Sequence, residues 1–207
     1  MIEIFAHRAI FDLQENTLQG IKKYMQLNIG LELDLRINKK GVYMSHDKTG
    51  QGESFDEACR TLKNSNCKIA LHIKELDAVT EIIKIINKHS INNNCFLFDT
   101  DYERICSLVR RNVEVAFYAS QKPENIRARI LWCDEVRAPW YNKETISNLH
   151  KENKTLYAVS KELINSHTKS EIISDWDRLL DLGFDGICTN HPIELASYVS
   201  KKGDKLH

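Results

Sequence analysis

Residues 30–37, GLELDLRI, alternate without a break: Leu31, Leu33 and Leu35 fall on one side, Glu32, Asp34 and Arg36 on the other. A period of two is that of a β-strand. The leucine side predicts packing against a core, while the other side carries two carboxylates and a guanidinium. Gly41 then turns the chain into a second extended stretch, Val42 to His46, so a short hairpin arm follows the strand. On the N-terminal side, Ile2 to Arg8 reads as an earlier strand. Between the two, Glu15 to Leu27 carries Leu18, Ile21 and Met25 at helical spacing, with Asn16 or Thr17 as a cap and Gly30 as a stop.

The alternation continues to the end of the chain. Strands are predicted at 68–74, 95–98, 113–118, 135–138, 155–159 and 187–189. Val79, Ile82, Ile83 and Ile86 form one helical stripe, and Tyr102, Ile105, Cys106 and Val109 another. Further helices are expected around 123–132, 143–151 and 161–168. Ser174 with Asp177 reads as a capping box for a helix ending near Gly183, and Pro192 to Val199 as a terminal helix. With the hairpin merged into the second strand, the count is eight βα units, which points to a compact TIM (β/α)8 barrel. The alternative is an open, doubly wound α/β sheet. A dinucleotide-binding version is excluded, because HRAIFDLQENT after the first strand lacks the required glycines.

The 207 residues amount to one domain, 1–207, shorter than the roughly 250 typical of such barrels, so the loops must be lean. Lys and Arg number 29 and Asp and Glu number 29, which removes the general electrostatic case for nucleic acid or an anionic membrane as partner. No run approaches the roughly 18 apolar residues of a membrane span. His7, Arg8 and Asp12 interrupt the N-terminus before a leader could form. Six cysteines without a CxxC, three of them inside apolar patterns, fit a reducing cytoplasm; an even count leaves disulfides open.

Barrel active sites lie at the C-terminal ends of the strands. His7 and Arg8 end the first strand, Glu32 and Asp34 share a face of the second, and His46 and Asp47 end the hairpin arm. His72 and Lys74 share a face of the third. Such a set can hold a divalent cation, grip an anion and move protons in two directions, and phosphodiester cleavage needs all three. The plainer reading of any one member is a solvated or core polar residue.

In order and near the usual spacing, His7-Arg8, Glu15-Asn16-Thr17, Glu32-Leu33-Asp34 and His46-Asp47 resemble the N-terminal signature of the glycerophosphodiester phosphodiesterase family. LHIK at 71–74 stands where that family has a glutamate-x-lysine strand, and GFDGICTNHP at 183–192 resembles its closing signature. The resemblance spans Phe5 to about Leu195 and implies a TIM barrel with phosphoric diester hydrolase activity. It implies His7 and His46 as the acid-base pair, Arg8 and Lys74 as phosphate-binding cations, and Glu15 in a supporting role. It also implies Glu32 and Asp34 as ligands of a divalent metal, with Mg²⁺ as first choice and Ca²⁺ as an alternative, while a nitrogen ligand at His72 would make Mn²⁺ another. The expected partner is a small-molecule phosphodiester.

The chain departs from that pattern at four places. Ala9 replaces a glycine, and His72 stands where a third metal-binding glutamate is expected, so its imidazole becomes a candidate ligand. Only 48–67 replaces a larger insertion, and TLYAVS near the seventh strand lacks a tryptophan. Two other outcomes therefore stand beside hydrolysis: a barrel that binds a phosphorylated ligand without turnover, and a lyase that stops at a cyclic phosphate.

Overall fold

The leucine side of the 30–37 stretch is buried against helices: Leu31, Leu33 and Leu35 join Ile21, Ala58, Leu62, Val79, Ile82 and Ile86 in one apolar cluster. Their alternates therefore face the other way, into a closed barrel. The computed structural model describes residues 2–109, 113–124, 126–136 and 139–203. Its strands are β1 Glu3–Ala6, β2 Gly30–Asn38, β3 Gly41–Met44, β4 Glu53–Ser54, β5 Ile69–Ile73, β6 Cys95–Asp99, β7 Glu114–Ala119, β8 Ile130–Cys133, β9 Thr155–Val159 and β10 Gly186–Thr189. Eight of these, all but β3 and β4, form a parallel sheet that closes because β1 pairs with both β10 and β2. β3 and β4 extend antiparallel from β2 as the hairpin arm. Helices α1 Leu18–Gln26, α2 Phe55–Leu62, α3 Val79–His89, α4 Tyr102–Val109, α5 Lys143–Lys151, α6 Lys169–Leu182 and α7 Pro192–Gly203 surround the barrel. This is the compact TIM barrel expected from the strand count.

Aromatic rings fill the barrel interior. Phe5 meets Phe96, Trp132 and Tyr157 edge-on, at centroid distances of 6.2, 5.5 and 4.9 Å. Such pairs contribute about 0.5–1.5 kcal/mol each beyond the area they bury. The register carries this pattern round the wall: Ala70 pairs with Phe96, His72 with Phe98, and Tyr118 with Trp132. All six cysteines are free thiols. No helix among the described residues is long and apolar enough to cross a membrane.

Several expected elements differ. The strand expected at 135–138 is instead β8 at Ile130–Cys133, and the described residues of the helix expected around 123–132 are not helical. Of 135–138, residues 135 and 136 are not strand, and 137 and 138 lie outside the described residues. β8 is buried on both faces, so ILWC shows no polar alternation, and a short apolar run of that kind carries no period of its own. The helix expected around 161–168 is one 3-10 turn, Lys161–Leu163. The capping box belongs to Thr168 and Glu171, one turn and more before Ser174, because α6 starts at Lys169. The first strand ends at Ala6, before Arg8, and Asn28, with φ 52°, ends the helical region before Gly30 opens β2. Within 48–67, α2 carries Phe55, Ala58, Cys59 and Leu62 at helical spacing behind a Ser54 cap; two glycines just upstream mask that short pattern.

Candidate active site

β1 stops at Ala6 because the chain turns sharply into the mouth of the barrel. His7–Ala9 is a single 3-10 turn, with Arg8 at φ 51° and Ala9 at φ 45°. Left-handed backbone costs a non-glycine residue about 1–2 kcal/mol, so packing must hold it. α1 does so: a Cβ on Gly20 would lie 2.0 Å from the Ala9 carbonyl oxygen, and the Tyr24 hydroxyl donates to the Ile10 carbonyl at 2.5 Å. The turn aims the Arg8 backbone N–H at Glu32 Oε2, 2.8 Å away.

Glu32 and Asp34 are almost fully buried, at 3% and 1% exposure. Burial, then the charge of Asp34, pushes the Glu32 carboxyl well above the usual carboxylate range. Burial acts on Asp34 in the same direction, but hydrogen bonding and charge from His72, with Lys74 and Asn16, outweigh it and hold Asp34 below that range. Asn16 clamps Asp34 twice: its Nδ2 donates to Oδ2 at 3.1 Å, and its Oδ1 accepts from the Asp34 backbone N–H at 3.0 Å. Thr17, and not Asn16, caps α1. His72 Nδ1 lies 3.2 Å from Asp34 Oδ1 and 3.9 Å from Glu32 Oε1, and its ring stacks on Phe98 at 4.6 Å. Lys74 Nζ is 3.7 Å from Asp34 Oδ1. Arg8 Nη1 donates to Glu15 Oε2 at 2.8 Å, while its buried Nε has no hydrogen-bond partner.

His7 Nδ1 is 2.7 Å from Asn190 Oδ1. An amide oxygen only accepts, so Nδ1 carries the proton and Nε2 keeps a lone pair. Burial lowers the His7 pKa to about 4, against the raising effect of the Asn190 hydrogen bond, so the ring is neutral near pH 7. His46 sits at the rim with Nδ1 2.8 Å from Asp47 Oδ1. Its loop is tied down by Arg36, whose Nε and Nη2 both donate to the His46 carbonyl, at 3.0 and 2.6 Å. Arg36 is held in turn by Glu75 at 3.2 Å.

His7, Arg8, Glu32, Asp34, His46, His72 and Lys74 all line one cleft of about 540 Å³ at the C-terminal mouth. Glu15 touches it through Arg8. Arg36 and Asn190 carry no role in the sequence alone, and Asn16 only that of an alternative helix cap, although Asn16 lies inside the ENT motif and Asn190 inside the closing one. The donor atoms of Glu32, Asp34 and His72 lie within 4.8 Å of one another. Two adjacent buried carboxylates, one of which cannot ionise easily, form a donor set that a divalent cation fits well.

No protein-family model matches the chain, and no curated protein matches it in sequence. Solved structures do. A candidate glycerophosphodiester phosphodiesterase from Galdieria sulphuraria superposes with a TM-score of 0.79 at 18% identity, covering 97% of this chain and 98% of that one. A glycerophosphoryl diester phosphodiesterase from Parabacteroides distasonis gives 0.78 at 15% identity, covering 97% and 86%. The 7,8-dihydropteroate synthase of Vibrio fischeri also superposes, at 0.63 and 9% identity over 99% and 93%, so the barrel alone does not name a reaction. At these identities the likeness establishes the fold: over nearly its whole length, the chain is built as the TIM barrel seen in structures of glycerophosphodiester phosphodiesterases.

Proposed function

We propose that this protein is a glycerophosphodiester phosphodiesterase: a metal-dependent phosphoric diester hydrolase that converts a glycerophosphodiester to glycerol phosphate and an alcohol. The observation that carries this reading is the meeting of two histidines, two cations and the Glu32–Asp34–His72 donor set in one cleft. Glu32, Asp34 and His72 would hold the ion, which when bound supplies positive charge against the charge that gathers on the phosphoryl oxygens. Arg8 and Lys74 supply more from the side chain. Mg²⁺ is the proposed working ion, with Ca²⁺ or Mn²⁺ as alternatives; the imidazole nitrogen tilts intrinsic preference from Ca²⁺ towards Mn²⁺.

In the first step Nε2 of neutral His7 takes the proton of the neighbouring glycerol hydroxyl, and that oxygen bonds to phosphorus. The bond from phosphorus to the alcohol breaks, and protonated His46 gives its proton to the departing oxygen. In the second step His46 takes a proton from water, whose oxygen attacks the cyclic phosphate. The ring P–O bond breaks, His7 returns its proton to the glycerol oxygen, and both histidines regain their starting forms. Asn190 keeps His7 in the tautomer this sequence needs.

The test is turnover of glycerophosphocholine, glycerophosphoethanolamine, glycerophosphoglycerol and a chromogenic bis-phosphodiester, each with several divalent ions, followed by phosphorus NMR. Glycerol phosphate as product supports the reading. An accumulating cyclic phosphate would assign a lyase, and binding without turnover by folded protein would assign a phosphorylated-ligand-binding barrel.

A further inference from the structure

His7 owes its tautomer to Asn190, and Asn190 is itself held by a carboxylate. Glu162 sits on the 3-10 turn that follows β9, beside β10 in the sheet. Its Oε1 accepts the Thr189 hydroxyl at the end of β10, and also the Asn190 backbone N–H at 3.3 Å. Thr189 Oγ1 in turn accepts the His191 backbone N–H at 3.1 Å, so residues 189–191 are folded round one hydroxyl and the carboxylate it donates to. Glu162 Oε2 accepts the Ser160 hydroxyl. Ser160 and Thr189 are both fully buried, and Glu162 takes the hydroxyl proton of each.

The support runs back to a helix. Trp176 Nε1 on α6 donates to Ser160 Oγ at 3.1 Å, and the Lys161 backbone N–H donates to Asp175 Oδ2, also on α6, at 3.0 Å. Glu162 is thereby tied to α6 at one end and to Asn190 at the other, and the Asn190 side-chain oxygen lies 2.7 Å from His7 Nδ1. An asparagine amide offers an oxygen and an NH₂ of nearly equal size, and either end fits against an imidazole nitrogen. The oxygen keeps the proton on Nδ1. The NH₂ would move it to Nε2 and remove the lone pair that a base needs. Which end faces His7 depends on where the Asn190 backbone stands, and Glu162 holds that backbone from the β9 side.

We propose that Glu162 is a positioning residue for His7, acting through Asn190: its carboxylate sets the 189–191 turn so that the Asn190 oxygen faces Nδ1 and leaves Nε2 free to take a proton. The kinetic half of this rests on the hydrolase reading above; the tautomer half does not. The experiment compares the wild type, Glu162→Ala and Glu162→Gln in two readings. One is the His7 tautomer near pH 7 by nitrogen NMR of the histidine rings, with the His7 signals identified by their loss in His7→Ala. The other is turnover of glycerophosphocholine with Mg²⁺. Glu162→Ala is expected to shift His7 towards the Nε2–H form and to lower kcat by about 10–100-fold, as small misplacements of reacting groups do. KM, and Mg²⁺ affinity by calorimetry, should stay within about twofold. Glu162→Gln keeps an amide oxygen for Thr189 and Asn190, and is expected to restore the tautomer and most of kcat. Thr189→Val moves both readings in the same direction by less, and it decides the matter if Glu162→Ala does not fold. An unchanged tautomer or kcat, a loss that Glu162→Gln fails to restore, or a parallel loss of Mg²⁺ affinity overturns the positioning role. If the wild type turns over no diester, the hydrolase reading fails and the tautomer alone decides. A shift in Glu162→Ala that Glu162→Gln reverses upholds the role; no shift, or the same shift in both, overturns it.

Discussion

One wall of the cleft, formed by β1, β2 and β5, is a lattice of partnered polar groups; the other, formed by β6 to β9, is aromatic. On the first, Glu32, Asp34, His72, Lys74, Arg8 and Asn16 are linked by hydrogen bonds and ion pairs. On the second, Phe98, Trp132 and Val159 are buried beneath the cleft, with Asp134 the buried carboxyl among them. The same backbone register builds both, so the difference lies in what alternates along each strand. Where leucines face the helices and carboxylates face inward, the barrel acquires a charged wall. Where both faces are apolar, it acquires a rigid floor. The outward faces of β2 and β5 nonetheless pack the helices as tightly as the other strands do.

This division is open to direct attack. The largest effect is expected from the polar wall: His7→Ala should lower kcat by about 10²–10⁴-fold, the range for a general acid-base group, with little loss of stability. Steady-state kinetics with a melting curve checks it, and near-normal activity would remove His7 from the proton path. On the aromatic side Phe96→Ala should cost about 3–5 kcal/mol of stability in urea unfolding, because it empties a site 2% exposed. Metal affinity of the folded fraction should hardly change; a large change would mean the halves are coupled. Asn16→Ala tests how the polar wall is held together. It removes both clamps on Asp34 and should weaken divalent-ion binding by about 10–100-fold, read by calorimetry. His72→Glu should raise Ca²⁺ affinity and narrow any preference for Mn²⁺, and unchanged values for both would take His72 out of the ligand set. The smallest effect concerns the open side of the cleft, where the short 48–67 connection encloses little. Choline and ethanolamine esters should differ by well under about 100-fold in kcat/KM.

The two walls also differed in how much of them could be read in advance. Glu32 and Asp34 stand two residues apart on a strand whose other face is all leucine, so their shared direction was written locally, as it was for His72 and Lys74. Asp134 had no such signal. It follows ILWC, a run without alternation, and with β8 displaced by several residues in the reading its position at the barrel mouth was lost as well. Arg36 sat in plain view on β2, but only the fold of the hairpin arm brings the His46 carbonyl to its guanidinium. Asn190 and His7 are 183 residues apart, and their hydrogen bond exists because β10 closes onto β1.

The number of barrel strands and the inward face of β2 were determined by the sequence itself, since each depends on spacing within a few residues, while the roles of the proton-transfer and metal-ligand candidates rest on the family resemblance of their motifs. What only the tertiary structure decided is what depends on how the elements pack: the pairing of Asn16 with Asp34, the tautomer of His7, set by Asn190 once β10 closes onto β1, and the burial that splits the ionisation of Glu32 and Asp34. These are properties of groups distant in the chain. Their energies come from desolvation and from geometry between packed elements, and neither is present in the unfolded chain.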